Sequence, residues 1–250
     1  MRYFVQFSYH GKAYHGWQNQ PNAITVQQVL EETFCTILKE KIELVGAGRT
    51  DTGVHAKMMF AHFEVMQVFD TEALVYRINA LLPDDIALQR IFAVHDEAHA
   101  RFDALERTYE YLIVQEKNPF TVDAAHYVRH PLDIEKMNQV ARMLLEFNDF
   151  KSFSKSKTDV HTYLCTISHA EWTYRGHYLV FTITANRFLR NMVRALVGTL
   201  LDVGTGKSTL TDVKAIINSK DRREAGTSVP AKGLYLTQVA YPKTIIPKNG

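Results

Sequence analysis

Arg49, Asp51 and His55 lie within one short glycine-rich segment, Gly46-Ala47-Gly48-Arg49-Thr50-Asp51-Thr52-Gly53-Val54-His55-Ala56. A guanidinium, a carboxylate and an imidazole at this spacing can do ionic or proton-transfer chemistry. The glycines at 46, 48 and 53 point to positive φ or to close approach of the backbone to another molecule. Apolar alternation on both sides makes the segment a loop between strands, where catalytic groups tend to lie. The plainer alternative is a glycine-rich hairpin in which Asp51 makes a local turn hydrogen bond.

Two other groups of residues carry chemistry. In Arg187-Phe188-Leu189-Arg190-Asn191-Met192-Val193-Arg194 the arginines stand at i, i+3 and i+7. On a helix those offsets fall within about 60° of one another. Leu189, Val193, Leu196, Val197 and Leu200 would then form the packed side. The arginines are either a solvated basic face or a cationic wall for phosphates or for a carboxylate in a cleft. In Arg107-Thr108-Tyr109-Glu110-Tyr111, strand alternation puts Arg107, Tyr109 and Tyr111 on one face. A ring there either fills the core or offers a stacking platform for an extruded base.

Other patterns carry less. Gly46-Ala47-Gly48 begins like a dinucleotide fingerprint, but Asp51 occupies the third glycine position. Gly204-Thr205-Gly206-Lys207-Ser208-Thr209 resembles the end of a phosphate loop, but Leu201 stands where the first glycine is required. Both read as turns and caps. Asp51, His55 and His62 are possible metal ligands without the further ligands that a hydrolytic site needs. His95, His99, His161 and His169 stand outside any ligand spacing.

The elements that must position these groups alternate between strands and helices. Strands are expected at 3–9, 43–47, 58–66, 86–95, 107–115, 164–174, 177–185 and 233–241, with a tight turn at Arg175-Gly176. Thr25 and Gln28 form a capping-box signature for a helix whose inner face is Val26, Val29, Leu30, Phe34, Ile37 and Leu38. Further helices are expected from Thr71 to Leu82-Pro83, over 134–147 behind Asp133, over 188–203 ending at Gly204, and after Thr211. No linker composition appears, so two halves are expected to share one sheet. Residues 1–104 carry the Asp51 loop, and residues 105–250 carry Tyr109 and the basic helix.

The 250 residues suffice for one large domain or two smaller ones. Hydrophobic residues at 46% and charged ones at 22% exclude disorder as the main state. No apolar run is long enough to cross a bilayer, and Gln6 and His10 interrupt the first one, against a signal peptide. Two cysteines, Cys35 and Cys165, are too few for a disulfide framework, so a reducing, cytoplasmic setting is expected. The net charge of +2 is uneven. Residues 1–104 hold 9 basic against 13 acidic side chains and residues 105–250 hold 20 against 14. That excess permits a polyanionic partner without requiring one.

Several motifs in order resemble the TruA-type family of tRNA pseudouridine synthases. They are Tyr9-His10-Gly11 with Tyr14-His15-Gly16-Trp17-Gln18-Asn19-Gln20, the loop at 46–56, HARFDA at 99–104 and RTYEY at 107–111. DFKSF at 149–153, FLRNMVRALVGTLLDVG at 188–204 and PAKGLYLTQVAYP at 230–242 complete the set. Thr52 departs from the alanine often found there. The resemblance implies an α/β fold of two halves, each similar to a ferredoxin-like or RNA-recognition unit. They would join through a mainly antiparallel mixed sheet around a central cleft. It also implies a homodimer that binds tRNA, targets at uridines 38–40 of the anticodon stem-loop, and no metal or organic cofactor.

Asp51 matches the family's catalytic aspartate, and Tyr109 its active-site tyrosine. Attack at C6, attack at C1′ and removal of the C2′ proton are all open to such a carboxylate. Arg194, the arginine of Met-Val-Arg, is the candidate cation that keeps it ionised. Arg49, Arg187 and Arg190, with Lys155 and Lys157, are candidates for gripping RNA phosphates, a binding mode that weakens steeply with salt. His55 is expected to fix the loop. Two rivals remain at this point: a non-enzymatic RNA-binding or tRNA-chaperone protein, which has no need of Asp51, and a metal-dependent hydrolase.

Overall fold

The computed structural model describes residues 1–155 and 160–246, and Lys157 lies outside the described residues. The chain divides into two compact units, Met1–Glu106 with Leu236–Gly250, and Arg107–Tyr235. The expected α/β character with mainly antiparallel pairing is what the structure has.

In the first unit, β1 (Arg2–Tyr9) leads through α1 (Val26–Leu38) and the two-residue β2 (Val45–Gly46) to β3 (His55–Glu64). Then α2 (Thr71–Asn79) and β4 (Ile86–Val94) follow, and β9 (Leu234–Ala240) returns the chain to this unit. The strand order is β4-β1-β3-β9. β1 lies between antiparallel partners, with Val5 opposite both Ala61 and Ile91. Phe4, Phe7, Phe34 and Phe63 are buried to 1% exposure or less and form the core. Thr25 caps α1, its hydroxyl accepting the Gln28 N–H, but the expected capping box is not closed, because the Gln28 side chain pairs with Glu32 instead. Asp70 caps α2 in place of the expected Thr71, because its carboxylate reaches both Glu72 and Ala73 N–H groups. That helix ends at Asn79, short of the expected Leu82-Pro83, and the Asn79 side chain ties it to β4 by pairing with both the N–H and the carbonyl of Leu88.

The second unit holds β5 (Glu106–Val114) from Arg107 onward, β6 (His126–Tyr127), α3 (Ile134–Met143), β7 (Ile167–Arg175), β8 (Tyr178–Ala185), α4 (Met192–Gly204) and α5 (Leu210–Ser219). Its strand order is β5-β8-β7, with β6 parallel to β5. α3 connects β5 to β7 with β8 between them, a split β-α-β arrangement like the one that β3, α2 and β4 make around β1 in the first unit. Asp133 caps α3, and Gly176 at φ +59 makes the β7–β8 turn, both as expected. Asn138 locks α3 to the sheet by pairing with the backbone N–H and carbonyl of Trp172.

Three further local expectations are corrected. Thr209 caps α5 in place of Thr211, because Asp212 three residues on completes a capping box with it. Gly204 belongs to α4 rather than following it; a Cβ there would meet the Met137 sulfur at 2.4 Å, so this glycine lets α3 and α4 approach. And α4 starts at Met192, four residues later than apolar periodicity predicts. Asn191 sits at φ +67, a left-handed conformation that no right-handed helix can run through.

Candidate active site

The Asp51 loop is held between β2 and β3 on one side and residues 9–17 on the other. At its start, a Cβ on Gly46 would come 2.5 Å from the Trp17 indole nitrogen, so glycine there lets the ring approach the backbone closely. Gly53 takes φ +77, and the Val54 N–H donates to the Asp51 carbonyl at 3.1 Å to close the turn. The three glycines thus divide: Gly46 allows close approach, by Trp17 of the same chain and not by another molecule, Gly53 supplies positive φ, and Gly48 faces open space.

Four ties bracket Asp51. Gly53 N–H donates to the Tyr14 carbonyl at 3.2 Å, and Trp17 N–H to the Thr50 carbonyl at 3.4 Å. The Tyr9 and Thr50 hydroxyls share a hydrogen bond of 2.8 Å. The Gly11 N–H donates to His55 Nδ1 at 2.9 Å. Both glycines of the facing segment are required by contact: a Cβ on Gly11 would stand 2.0 Å from the Val54 carbonyl oxygen, and one on Gly16 would stand 2.3 Å from that of Thr50. Tyr14 is itself fixed by donating its hydroxyl to the Asp85 carboxylate. Burial and that carboxylate push its phenol well above the ordinary range.

Asp51 is half-buried and Arg49 exposed. His55 is 1% exposed, and its Nδ1 acceptor role assigns the proton of the neutral ring to Nε2. It pins the loop to residue 11. Among the described residues, no group of three or more His, Cys, Asp or Glu is placed to hold a metal ion. His62, one of the possible ligands, instead accepts the Ala100 N–H at its Nδ1, 3.1 Å away.

Burial, reinforced by His99 and Arg2, lowers the His62 pKa to about 4. The folded state therefore keeps it neutral where the unfolded chain takes up a proton near the ordinary value of 6.5. Stability present above pH 6.5 is lost as pH falls towards 4, by about 2 kcal/mol between pH 7.5 and pH 5. Urea unfolding at those two pH values checks this: His62→Asn is expected to lack that part of the acid loss.

In the second unit, Tyr109 sits opposite Ile183 in the β5–β8 ladder. It is half-buried, with its ring edge-on to Phe188 at 5.2 Å. Tyr111, on the same strand face, is fully buried and donates its hydroxyl to the Pro230 carbonyl at 2.8 Å. Burial pushes that phenol up, while the nearby Arg194 charge pulls it the other way. Two tyrosines of one stripe thus differ: Tyr111 is core, and Tyr109 keeps part of its surface accessible.

Arg194 lies in the first turn of α4, half-buried. Its Nε donates to the Val229 carbonyl at 2.7 Å, and its own carbonyl accepts the Val229 N–H at 3.2 Å. Arg187 is half-buried and Arg190 exposed, and both precede the helix. The expectation that the three arginines share one helical face is therefore corrected, since Asn191 breaks the helix between them and Arg194. The Arg190 carbonyl accepts the Lys155 N–H at 3.0 Å.

Sequence reasoning missed Phe188 as a neighbour of Tyr109, and residues 225–230 as the segment that captures Arg194. It noted the cluster of Tyr, His and Gly at 9–17 without anticipating that this cluster forms the wall of the Asp51 loop.

The family described as tRNA pseudouridine synthase matches the chain over residues 6–103 and 140–242. The chain is 49% identical over 247 residues to a protein of Parabacteroides distasonis named tRNA pseudouridine synthase A, covering 98% of each. A protein of the same name from Bacteroides thetaiotaomicron is 50% identical over 247 residues, 98% of this chain and 92% of the relative. One from Bacillus subtilis is 40% identical over 245 residues, 96% and 99% respectively.

Proposed function

The chain belongs to the tRNA pseudouridine synthase family and isomerises uridine to pseudouridine in tRNA; from that premise we propose that Asp51 supplies the reacting carboxylate and that the targets are uridines 38–40 of the anticodon stem-loop. The reaction breaks the bond from N1 to C1′, turns the base, joins C5 to C1′, releases the C5 proton and places a proton on N1. Atoms and electrons balance without redox change or an added group. A carboxylate oxygen can serve by attack at C6, by attack at C1′ or by removing the C2′ proton, and each route needs it ionised. Arg194 is the cation proposed to keep it so as the site closes on the base.

The observation that carries this reading is the bracing of residues 50–55. A half-buried carboxylate in a turn tied at Thr50, Gly53 and His55 is preorganised for one geometry, as a reacting group must be and a solvated loop residue need not be. Tyr109 is proposed to stack on the extruded uracil and to relay the C5 proton. Arg49, Arg187, Arg190 and Lys155 are proposed to grip phosphates, with His55 holding the loop. A homodimer with tRNA in basic grooves, acting in the cytoplasm, completes the proposal. Among the described residues no helix is long and apolar enough to cross a membrane.

The test is release of tritium from tRNA labelled at uridine C5. Wild-type protein is expected to release it, in EDTA as without, and Asp51→Ala to release none. Binding without release would support a chaperone instead, and loss in EDTA a metal-dependent enzyme. The two roles of Tyr109 separate on substitution. Tyr109→Phe is expected to bind tRNA normally and to lose about 100-fold in kcat. Tyr109→Ala should lose more, along with affinity. Full turnover by Tyr109→Phe would eliminate the hydroxyl relay.

A further inference from the structure

Residues 225–230 form a strap along the start of α4, attached at five points. The Gly226 N–H donates to Thr199 Oγ1 at 2.9 Å. At the next residue, the Thr227 carbonyl oxygen passes so close to Gly198 that a Cβ there would stand 1.9 Å away. Val229 brackets Arg194, its N–H on the Arg194 carbonyl and its own carbonyl on Nε. Pro230 receives the Tyr111 hydroxyl. Between them, Ser228 Oγ accepts two side-chain N–H groups, one from Asn191 Nδ2 at 2.6 Å and one from Arg222 at 2.9 Å. Arg222 also donates to the Ala225 carbonyl at 3.2 Å, so it grips the strap twice.

The part played by Asn191 is unusual. It occupies the N-cap position of α4, yet its side chain makes no capping bond to the helix. Its amide reaches Ser228 instead. The left-handed residue that starts the helix is thus tied to the strap that holds Arg194, three residues further on. A guanidinium is planar, so fixing the Nε–H on a carbonyl sets the direction of its other N–H groups. A site that depends on such a group tolerates displacements of about half an ångström and 10–20°.

We propose that Ser228 is a positioning residue for the reaction: its hydroxyl gathers Asn191 and Arg222 onto one oxygen and so holds the Val229 carbonyl where it orients Arg194. The proposal rests on Arg194 being the cationic partner of the reacting carboxylate. Ser228 itself touches neither substrate nor reacting atoms; its effect passes through Val229. Its loss should therefore appear in kcat and not in the affinity for tRNA.

The experiment compares Ser228→Ala, Ser228→Thr, Arg222→Met, Arg194→Lys and the Ser228→Ala/Arg194→Lys double variant by kcat, by KM for tRNA and by thermal unfolding. Ser228→Ala is expected to lose about 10- to 30-fold in kcat with KM within about twofold. Ser228→Thr, which keeps the oxygen, should recover to within about threefold of wild type. Arg222→Met removes both bonds that Arg222 makes to the strap, at Ser228 and at the Ala225 carbonyl, while leaving the Ser228 hydroxyl in place; it should lose about threefold in kcat, which keeps the proposal testable if Ser228→Ala folds poorly. Arg194→Lys is expected to lose about 1000-fold, and adding Ser228→Ala to it should cost no more than about twofold further.

Wild-type kcat in Ser228→Ala beside an inactive Arg194→Lys would overturn the Ser228 proposal and leave the role of Arg194 standing. A full additional loss in the double variant would also overturn it, because Ser228 would then act independently of Arg194. Wild-type kcat in Arg194→Lys would remove the role of Arg194 and the Ser228 proposal with it.

Discussion

Asp51→Ala is expected to bind tRNA like the wild type and to lose at least about 10,000-fold in the rate of pseudouridine formation. The loss is large because every route to pseudouridine that this residue can serve uses its carboxylate oxygen, and no neighbour in the loop offers another. Arg49 and His55 supply a cation and an imidazole whose Nδ1 already holds the Gly11 N–H. Folding should survive, since the turn is closed by the Asp51 backbone carbonyl, which alanine keeps. Asp51→Asn tests charge at nearly constant shape and should be as inactive. Single-turnover rates at saturating protein, with filter binding alongside, separate chemistry from affinity. A rate within tenfold of wild type would move the chemistry to another residue.

The largest structural effect is expected from Gly16→Ala. Gly16 has φ +91, and a Cβ there would stand 2.3 Å from the Thr50 carbonyl oxygen. That oxygen cannot simply withdraw, because it accepts the Trp17 N–H, and the Gly16 carbonyl accepts the Val26 N–H at the start of α1. Left-handed strain costs about 1–2 kcal/mol and overpacking about 1–3 kcal/mol, so a loss of about 3–4 kcal/mol is expected in urea unfolding. Whatever structure survives would carry a displaced Thr50, and with it a displaced Asp51. Gly48→Ala is the control: with open space around it and no positive φ, it should fall within about 0.5 kcal/mol of wild type. Equal effects at 16 and 48 would show that the wall of residues 9–17 does not brace the loop.

What the sequence made legible, and what it hid, follow from the range of the interactions. Thr25 and Asp133 were readable as caps because a cap and its helix are adjacent, and the Gly176 turn because two strands flank it directly. The start of α4 was not. Apolar spacing continues smoothly through Phe188 and Leu189, and periodicity cannot register that Asn191 turns left-handed to reach Ser228, which is 37 residues away. The candidate site shows the same division. The chemistry of Asp51 could be read from its own loop, whereas the His55 bond to Gly11 spans 44 residues and that of Arg194 to Val229 spans 35. Two of the three arginines were misplaced onto a helical face for the same reason: the rule that sets residues at i, i+3 and i+7 together holds only inside an unbroken helix.

The central claim is that this chain modifies the anticodon stem-loop through the Asp51 carboxylate. Its most direct test is position-resolved measurement of pseudouridine in tRNA from cells lacking the enzyme, complemented with either the wild-type gene or Asp51→Asn at matched protein levels. Wild type is expected to restore pseudouridine at positions 38–40, and Asp51→Asn to restore none. Restoration of those positions by Asp51→Asn would contradict the account.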